Sequence, residues 1–115
     1  MIVKLVKNTS DDDEFKIESL DIENEYEVIG IESDDYRIIS DTDKEPYLYP
    51  PDCFEIVDDT KPPFWVTEFG EDGEEYSYPE NWNKVGIFED YFEGVKEVKK
   101  QFWADYKKYS NKNSS

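Results

Sequence analysis

The sequence predicts an α+β chain: a small, strongly bent antiparallel β-barrel over about residues 1–58, a β-hairpin and loop over about 63–86, and a C-terminal amphipathic helix over about 87–109. Three observations carry this prediction. Short alternating apolar stretches recur through the first half, each closed by turn residues. Proline pairs at Pro50–Pro51 and Pro62–Pro63 punctuate the middle, and from Phe88 onward the apolar residues fall in steps of three and four. Residues 1–110 read as one domain, with a flexible tail over 111–115.

Each element has its own signal. Ile2, Val3, Leu5 and Val6 predict a first strand, closed by Asn8–Ser10 and the acidic run Asp11–Glu14. Phe15, Ile17, Leu20 and Ile22 predict a second, less regular extended segment, because the period slips at Ser19. Tyr26, Val28, Ile29 and Ile31 predict a third strand, which a hairpin turn at Ser33–Asp35 returns as a fourth through Tyr36, Ile38 and Ile39. After a turn at Asp41–Lys44, the strand Tyr47–Tyr49 is stopped by Pro50 and Pro51, which lack ladder donors and can enter a single helical turn. Phe54, Ile56 and Val57 complete the barrel. Trp65, Val66 and Phe69, then a turn at Gly70–Gly73, then Tyr76 and Tyr78 predict the hairpin, and Pro79–Gly86 reads as loop. Phe88, Tyr91, Phe92, Val95, Val98, Phe102, Tyr106 and Tyr109 share one face of a continuous helix. Glu89, Asp90 and Glu93 lie in its first turns and Lys107 and Lys108 in its last, as the helix dipole favours. Gly94 is its weak point, at about 1 kcal/mol relative to alanine.

Charge constrains the partner more than any motif does. The net charge is −17, and it is divided: residues 1–97 carry 29 acids against 8 Lys and Arg, whereas residues 98–115 carry 5 Lys against one Asp. The acids are interleaved with apolar residues, so they coat a folded surface instead of forming a tail, and 17% aromatic content argues against disorder. Such a field repels nucleic acid and lipid headgroups and steers basic partners inward. The lone Cys53 allows no intrachain disulfide, and the apolar stretches are too short for a signal core or a membrane span. A soluble cytoplasmic protein is expected, monomeric or a weak dimer.

The stretch from Tyr26 to Asp58, YEVIGIESDDYRIISDTDKEPYLYPPDCFEIVD, resembles short bacterial SH3-like domains in its Y-x-V-x-G-I strand, its YRI-x-x-D strand and its LYPP-x-x-FE-x-V ending. The later W-V, YSYPENW and G-x-FEDYF segment is similar to the C-terminal extension of such proteins, some of which belong to toxin-immunity loci. The resemblance implies a five-stranded barrel and a binding module without catalysis. It assigns no functional residue.

The residues agree with a non-enzymatic reading. The chain has no His, so the commonest general base and the imidazole metal ligand are missing, and Cys53 has no imidazole to activate it. No carboxylate pair stands out among 30 acids. The clusters Asp11–Glu14 and Glu71–Glu75 lack the spacing of an EF-hand loop, and the glycines are too far apart for a phosphate loop, so no metal and no cofactor is expected. The expected function is an acidic binding protein, most readily an immunity protein that docks on and inhibits a basic bacterial toxin, a nuclease above all. The alternatives are a phage-type DNA mimic that inhibits a restriction or CRISPR nuclease, and an SH3-like peptide-binding adaptor. Candidate partner-binding residues are Asp34, Asp35, Tyr47, Tyr49, Glu71, Asp72, Tyr76 and Trp82, as exposed acids and aromatic anchors. For the four aromatics the competing role is core packing.

Overall fold

A computed structural model describes residues 1–9, 16–84 and 86–113. Its strands are β1 (Ile2–Leu5), β2 (Glu25–Glu27), β3 (Gly30–Glu32), β4 (Asp35–Ile39), β5 (Pro46–Tyr49), β6 (Phe54–Asp58), β7 (Trp65–Phe69) and β8 (Glu75–Pro79), and its helices are α1 (Ile87–Glu93) and α2 (Lys96–Asn113). Single 3-10 turns lie at Pro51–Cys53 and Glu80–Trp82. The strands pair antiparallel in two open sheets, a three-stranded one in the order β2-β1-β6 and a five-stranded one in the order β5-β4-β3-β8-β7. The α+β class and the C-terminal helical region match expectation. Where the sequence predicts a small, strongly bent antiparallel barrel, the described residues show two open antiparallel sheets with no ladder between them.

Three layers follow from which side chains each strand turns inward. Val3 and Leu5 of β1, both fully buried, pack with Ile31, Tyr36, Ile38 and Tyr49 from one face of the larger sheet. Each such aliphatic side chain is worth about 1.5–3 kcal/mol on burial. On the other face Tyr78, with Ile29 beside it, meets Trp82, Phe88, Tyr91 and Phe102. The larger sheet is therefore covered on both sides, which is why Tyr36, Arg37 and Ile38 are consecutive buried residues on β4.

Several expectations need correcting. The predicted third strand is split at Val28–Ile29, so that β2 serves the small sheet and β3 the large one. The described part of the second extended segment forms no strand: Ile17 and Leu20 are buried, Ile22 is exposed, and among the described residues it pairs through an isolated bridge between Thr9 and Lys16. Phe15 and the Asp11–Glu14 run lie outside the described residues. The hairpin does not stand apart, because β8 pairs with β3 through Ile31–Ser77 and Glu32–Tyr76 and extends that sheet. The predicted continuous helix is two helices. Gly94, at φ +90°, adopts the left-handed conformation, and the amides of Gly94 and Val95 bond back to the carbonyls of Tyr91 and Asp90 at 3.1 Å each, a Schellman stop. Phe92 and Val95 are exposed in consequence, and α2 runs past residue 109 to Asn113. No helix among the described residues is long and apolar enough to cross a membrane.

Candidate functional site

The chain's only arginine organises the helix-facing side of the larger sheet. Arg37 is 4% exposed, and each end of its guanidinium is held: Nε donates to Tyr78 Oη at 3.0 Å, Nη1 to the Pro46 carbonyl at 2.8 Å, and Nη2 to Glu32 Oε1 at 2.9 Å. The Phe88 ring covers the cation, with Cζ 3.9 Å from the ring centroid. Tyr78 closes the knot by donating its hydroxyl to the same Glu32 oxygen at 3.0 Å. Burial pushes the Tyr78 phenol well above its ordinary value, outweighing the Arg37 charge that lowers it and aided by the Glu32 charge, so it stays a donor. The ring of Tyr78 can lie there only because β3 carries Gly30 opposite it, where an added Cβ would come within 2.1 Å of the ring.

Glu32 is still about one-third exposed, and beyond it opens a cleft of about 450 Å³ between the end of the β7–β8 hairpin and the start of α1. Glu32, Glu68 and Glu89 give it three carboxylates, Tyr76 and Phe69 give it aromatic surface, and Lys84 is its one cation among the described residues. Phe69 is the most exposed large apolar residue described, at 69%. Carboxylates beside ring faces suit a cationic group, which gains from both. Among the described residues no three His, Cys, Asp or Glu side chains are grouped to hold a metal ion.

The sequence-predicted site residues do not form one surface. Tyr76 lines the cleft, and Trp82 contributes to its wall but is 2% exposed, stacked on Phe102 with centroids 4.6 Å apart. It is a core residue and not the exposed anchor expected. Tyr49 is likewise buried, its hydroxyl 2.6 Å from that of Ser19. Tyr47 is half-buried, stacked on Phe92 at 5.6 Å with its hydroxyl bonded to Asp43. That bond, first among the causes, raises its pKa to about 12. Tyr47 and Tyr49 belong to β5, one margin of the sheet, whereas Glu71 and Asp72 are exposed at the turn beyond β7, the other margin.

Asp34 and Asp35 occupy a tight turn with φ +51° at Ser33 and +70° at Asp34. Asp34 fastens that turn to β8: its amide donates to the Glu75 carbonyl at 3.1 Å, and its carboxylate accepts the Glu75 amide at 2.9 Å. Asp35 has its pKa raised, first by burial and then by the charges of Asp34, Glu32 and Asp52. The sequence reading missed Glu32, Arg37, Phe69 and Glu89. Only Arg37 carried a signal, as the single arginine of an acidic chain placed inside a strand. Comparison with protein-family models, curated proteins and solved structures finds no match to this chain.

Proposed function

We propose that this chain is a non-catalytic acidic binding protein that docks on a basic protein, and that it acts as an immunity protein covering a cationic bacterial toxin, a nuclease above all. The observation that carries the reading is the cleft, where three carboxylates, the exposed Phe69 and the half-buried Tyr76 line one opening on a chain of net charge −17. A basic enzyme offers arginines and lysines that such a surface can desolvate and pair, and the surrounding field raises the rate of encounter. The immobilised turn at Asp34 and the Arg37 knot hold the sheet beneath it rigid, which lowers the ordering cost of association. The order of pairing also supports an SH3-like reading of residues 1–58. β1 lies between β2 and β6, β3 and β5 flank β4, and a 3-10 turn joins β5 to β6.

The test is affinity capture from the native host at low and high salt, followed by assay of the purified partner. Recovery of one basic protein at both salts, with its activity lost at one equivalent of this chain, is the expected result. A partner of acidic composition, or one whose activity persists at saturation, overturns the proposal.

A further inference from the structure

Two sheets leave four outer strands, and three of them are blunted. β2 is three residues long with two glutamates, and β6 pairs with β1 through a register shift at Ile2–Val3. β5 begins with Pro46, and its Tyr47 amide is taken by the Glu45 carbonyl at 3.1 Å. Short length, bulges and proline are the usual ways to stop a further strand from adding. β7 has none of them. It pairs with β8 over five consecutive residues without a bulge, contains no proline, and is exposed from Val66 to Phe69.

The register also says which groups face outward. The Gly70 amide bonds the Glu74 carbonyl at 2.9 Å, so by antiparallel alternation Glu68–Tyr76 and Val66–Tyr78 are the bonded pairs. Thr67 and Phe69 then turn both amide and carbonyl away from β8. The 2.8 Å contact between the Thr67 and Ser77 hydroxyls fits the close spacing of a non-bonded pair. The Trp65 amide is already used by the Pro62 carbonyl at 3.1 Å. The outer edge of β7 thus offers two amides and two carbonyls in ladder spacing, and its Glu68 and Phe69 also line the acidic cleft.

We propose that an extended basic segment of the partner protein adds to the free edge of β7 as a sixth strand and places a lysine or arginine in the cleft formed by Glu32, Glu68 and Glu89. Backbone pairing supplies affinity and the cleft supplies selection for a cation. Charge complementarity picks this occupant over a second copy of the chain, since two β7 edges would bring Glu68 and the Glu71–Asp72 turn against their own kind. The inference rests on the function proposed above, and its test separates the two.

The probe is acetyl-(Lys-Val)4-amide, with acetyl-(Glu-Val)4-amide as the control, added to the full chain while amide hydrogen exchange is followed by NMR. The expected result is at least about tenfold slower exchange at Thr67 and Phe69 with the basic peptide alone. Thr67→Pro, which deletes an outward amide and keeps the β8 ladder, should abolish the protection read at Phe69, while Thr67→Val, which replaces the hydroxyl by a methyl group, should keep it at both positions. Unchanged exchange at Thr67 and Phe69 at saturating peptide overturns the edge proposal, as does protection that appears without peptide and grows with protein concentration, the mark of self-pairing. A basic partner that binds the Thr67→Pro chain undiminished overturns the edge and leaves the immunity reading standing. Protection by the peptide with no basic partner captured does the reverse.

Discussion

The five-stranded sheet is packed by different chemistry on its two faces. Toward the small sheet lie Val3, Leu5, Val28, Ile31 and Ile38, a largely aliphatic layer that excludes ionised groups. Toward the helices lie Tyr78, Trp82, Phe88, Tyr91 and Phe102, ring against ring, around a buried guanidinium. The aliphatic face is held mainly by burial, with Tyr36 and Tyr49 edge-on to Phe54 at its border, and tolerates exchange of similar volumes. The aromatic face depends on directional contacts, and its outer margin opens into the cleft proposed to meet a partner. In the proposed function, recognition grows out of the polar core, while the aliphatic core supplies the platform.

The sharpest way to break that contrast is to hollow each face in turn. Leu5→Ala should cost about 2–5 kcal/mol and Phe102→Ala about 3–5 kcal/mol, read as urea midpoints. Since both layers share the larger sheet, each variant should still unfold in one transition with an unchanged slope. Two separated transitions, with aromatic fluorescence changing before far-UV dichroism, would show the faces to be independent and the contrast to be one between two folding units.

Arg37 comes next. Arg37→Met keeps much of the volume but leaves the Pro46 carbonyl and the Tyr78 hydroxyl oxygen without the guanidinium donors, and Glu32 with the Tyr78 hydroxyl alone of its two donors. Loss of one partner of a fully buried pair costs about 3–5 kcal/mol, and because Glu32 is partly exposed the expected loss is nearer 2–3 kcal/mol. In a double-mutant cycle, Glu32→Gln with Arg37→Met should lose less than the two single changes added together. Strict additivity would mean that the guanidinium stabilises through its stack on Phe88 and not through the carboxylate.

The contrast between faces also explains what the sequence made legible. Period-two alternation is a local signal, and it located β1 and β4 because Val3 and Leu5, and Tyr36 and Ile38, enter the aliphatic layer at alternate positions, even though Arg37 between the latter two is buried on the other face. The β3–β8 pairing joins Ile31 to Ser77, and no local pattern announces a contact at that separation. The helical period ran through Gly94 because α1 and α2 both place aromatic residues on the sheet at matching phase, which hides the stop between them. Tyr49 and Trp82 read as anchors because composition cannot tell a buried ring from a displayed one. Glu32 and Glu89 were invisible among 30 acids until the fold put them beside the same cleft.

A smaller effect is expected from Gly30→Ala, whose methyl group meets the Tyr78 ring. Overpacking of this kind costs about 1–3 kcal/mol. Combining it with Tyr78→Leu should recover part of the loss if the ring is the obstacle, and no recovery would place the strain in the β3 backbone. Alkali should act through the same face. Tyr91 is pushed up to about 12, by burial first and by its hydrogen bond with Glu45 next, against about 10 in an unfolded chain. A group with its pKa raised in the fold gives stability that is complete below the unfolded value and lost as pH rises through the folded one. Stability should therefore hold to about pH 10 and decline toward 12, with Tyr91→Phe flattening the decline. Tyr47 behaves in the same sense through Asp43, so the double variant Tyr47→Phe/Tyr91→Phe should flatten it further.

The smallest expected effects separate two acidic turns at the ends of β4. Asp35 has its pKa raised by burial and by Asp34, Glu32 and Asp52, so its ionised form at neutral pH opposes folding. That cost disappears as pH falls through its folded pKa. Asp43 is the reverse: hydrogen bonds from Ser40 and then Tyr47 lower its pKa, and its contribution is present above the unfolded value near about 3.9 and lost as pH falls through the depressed one. Asp35→Asn should accordingly raise the midpoint at pH 7 by a few tenths of a kcal/mol, up to about 1, with the gain shrinking in acid and in high salt. Asp43→Asn should lower it, with the loss shrinking in acid. If Asp35→Asn destabilises instead, the carboxylate is being held by its surroundings, and its charge belongs to the fold of the turn and is not spare for a basic partner.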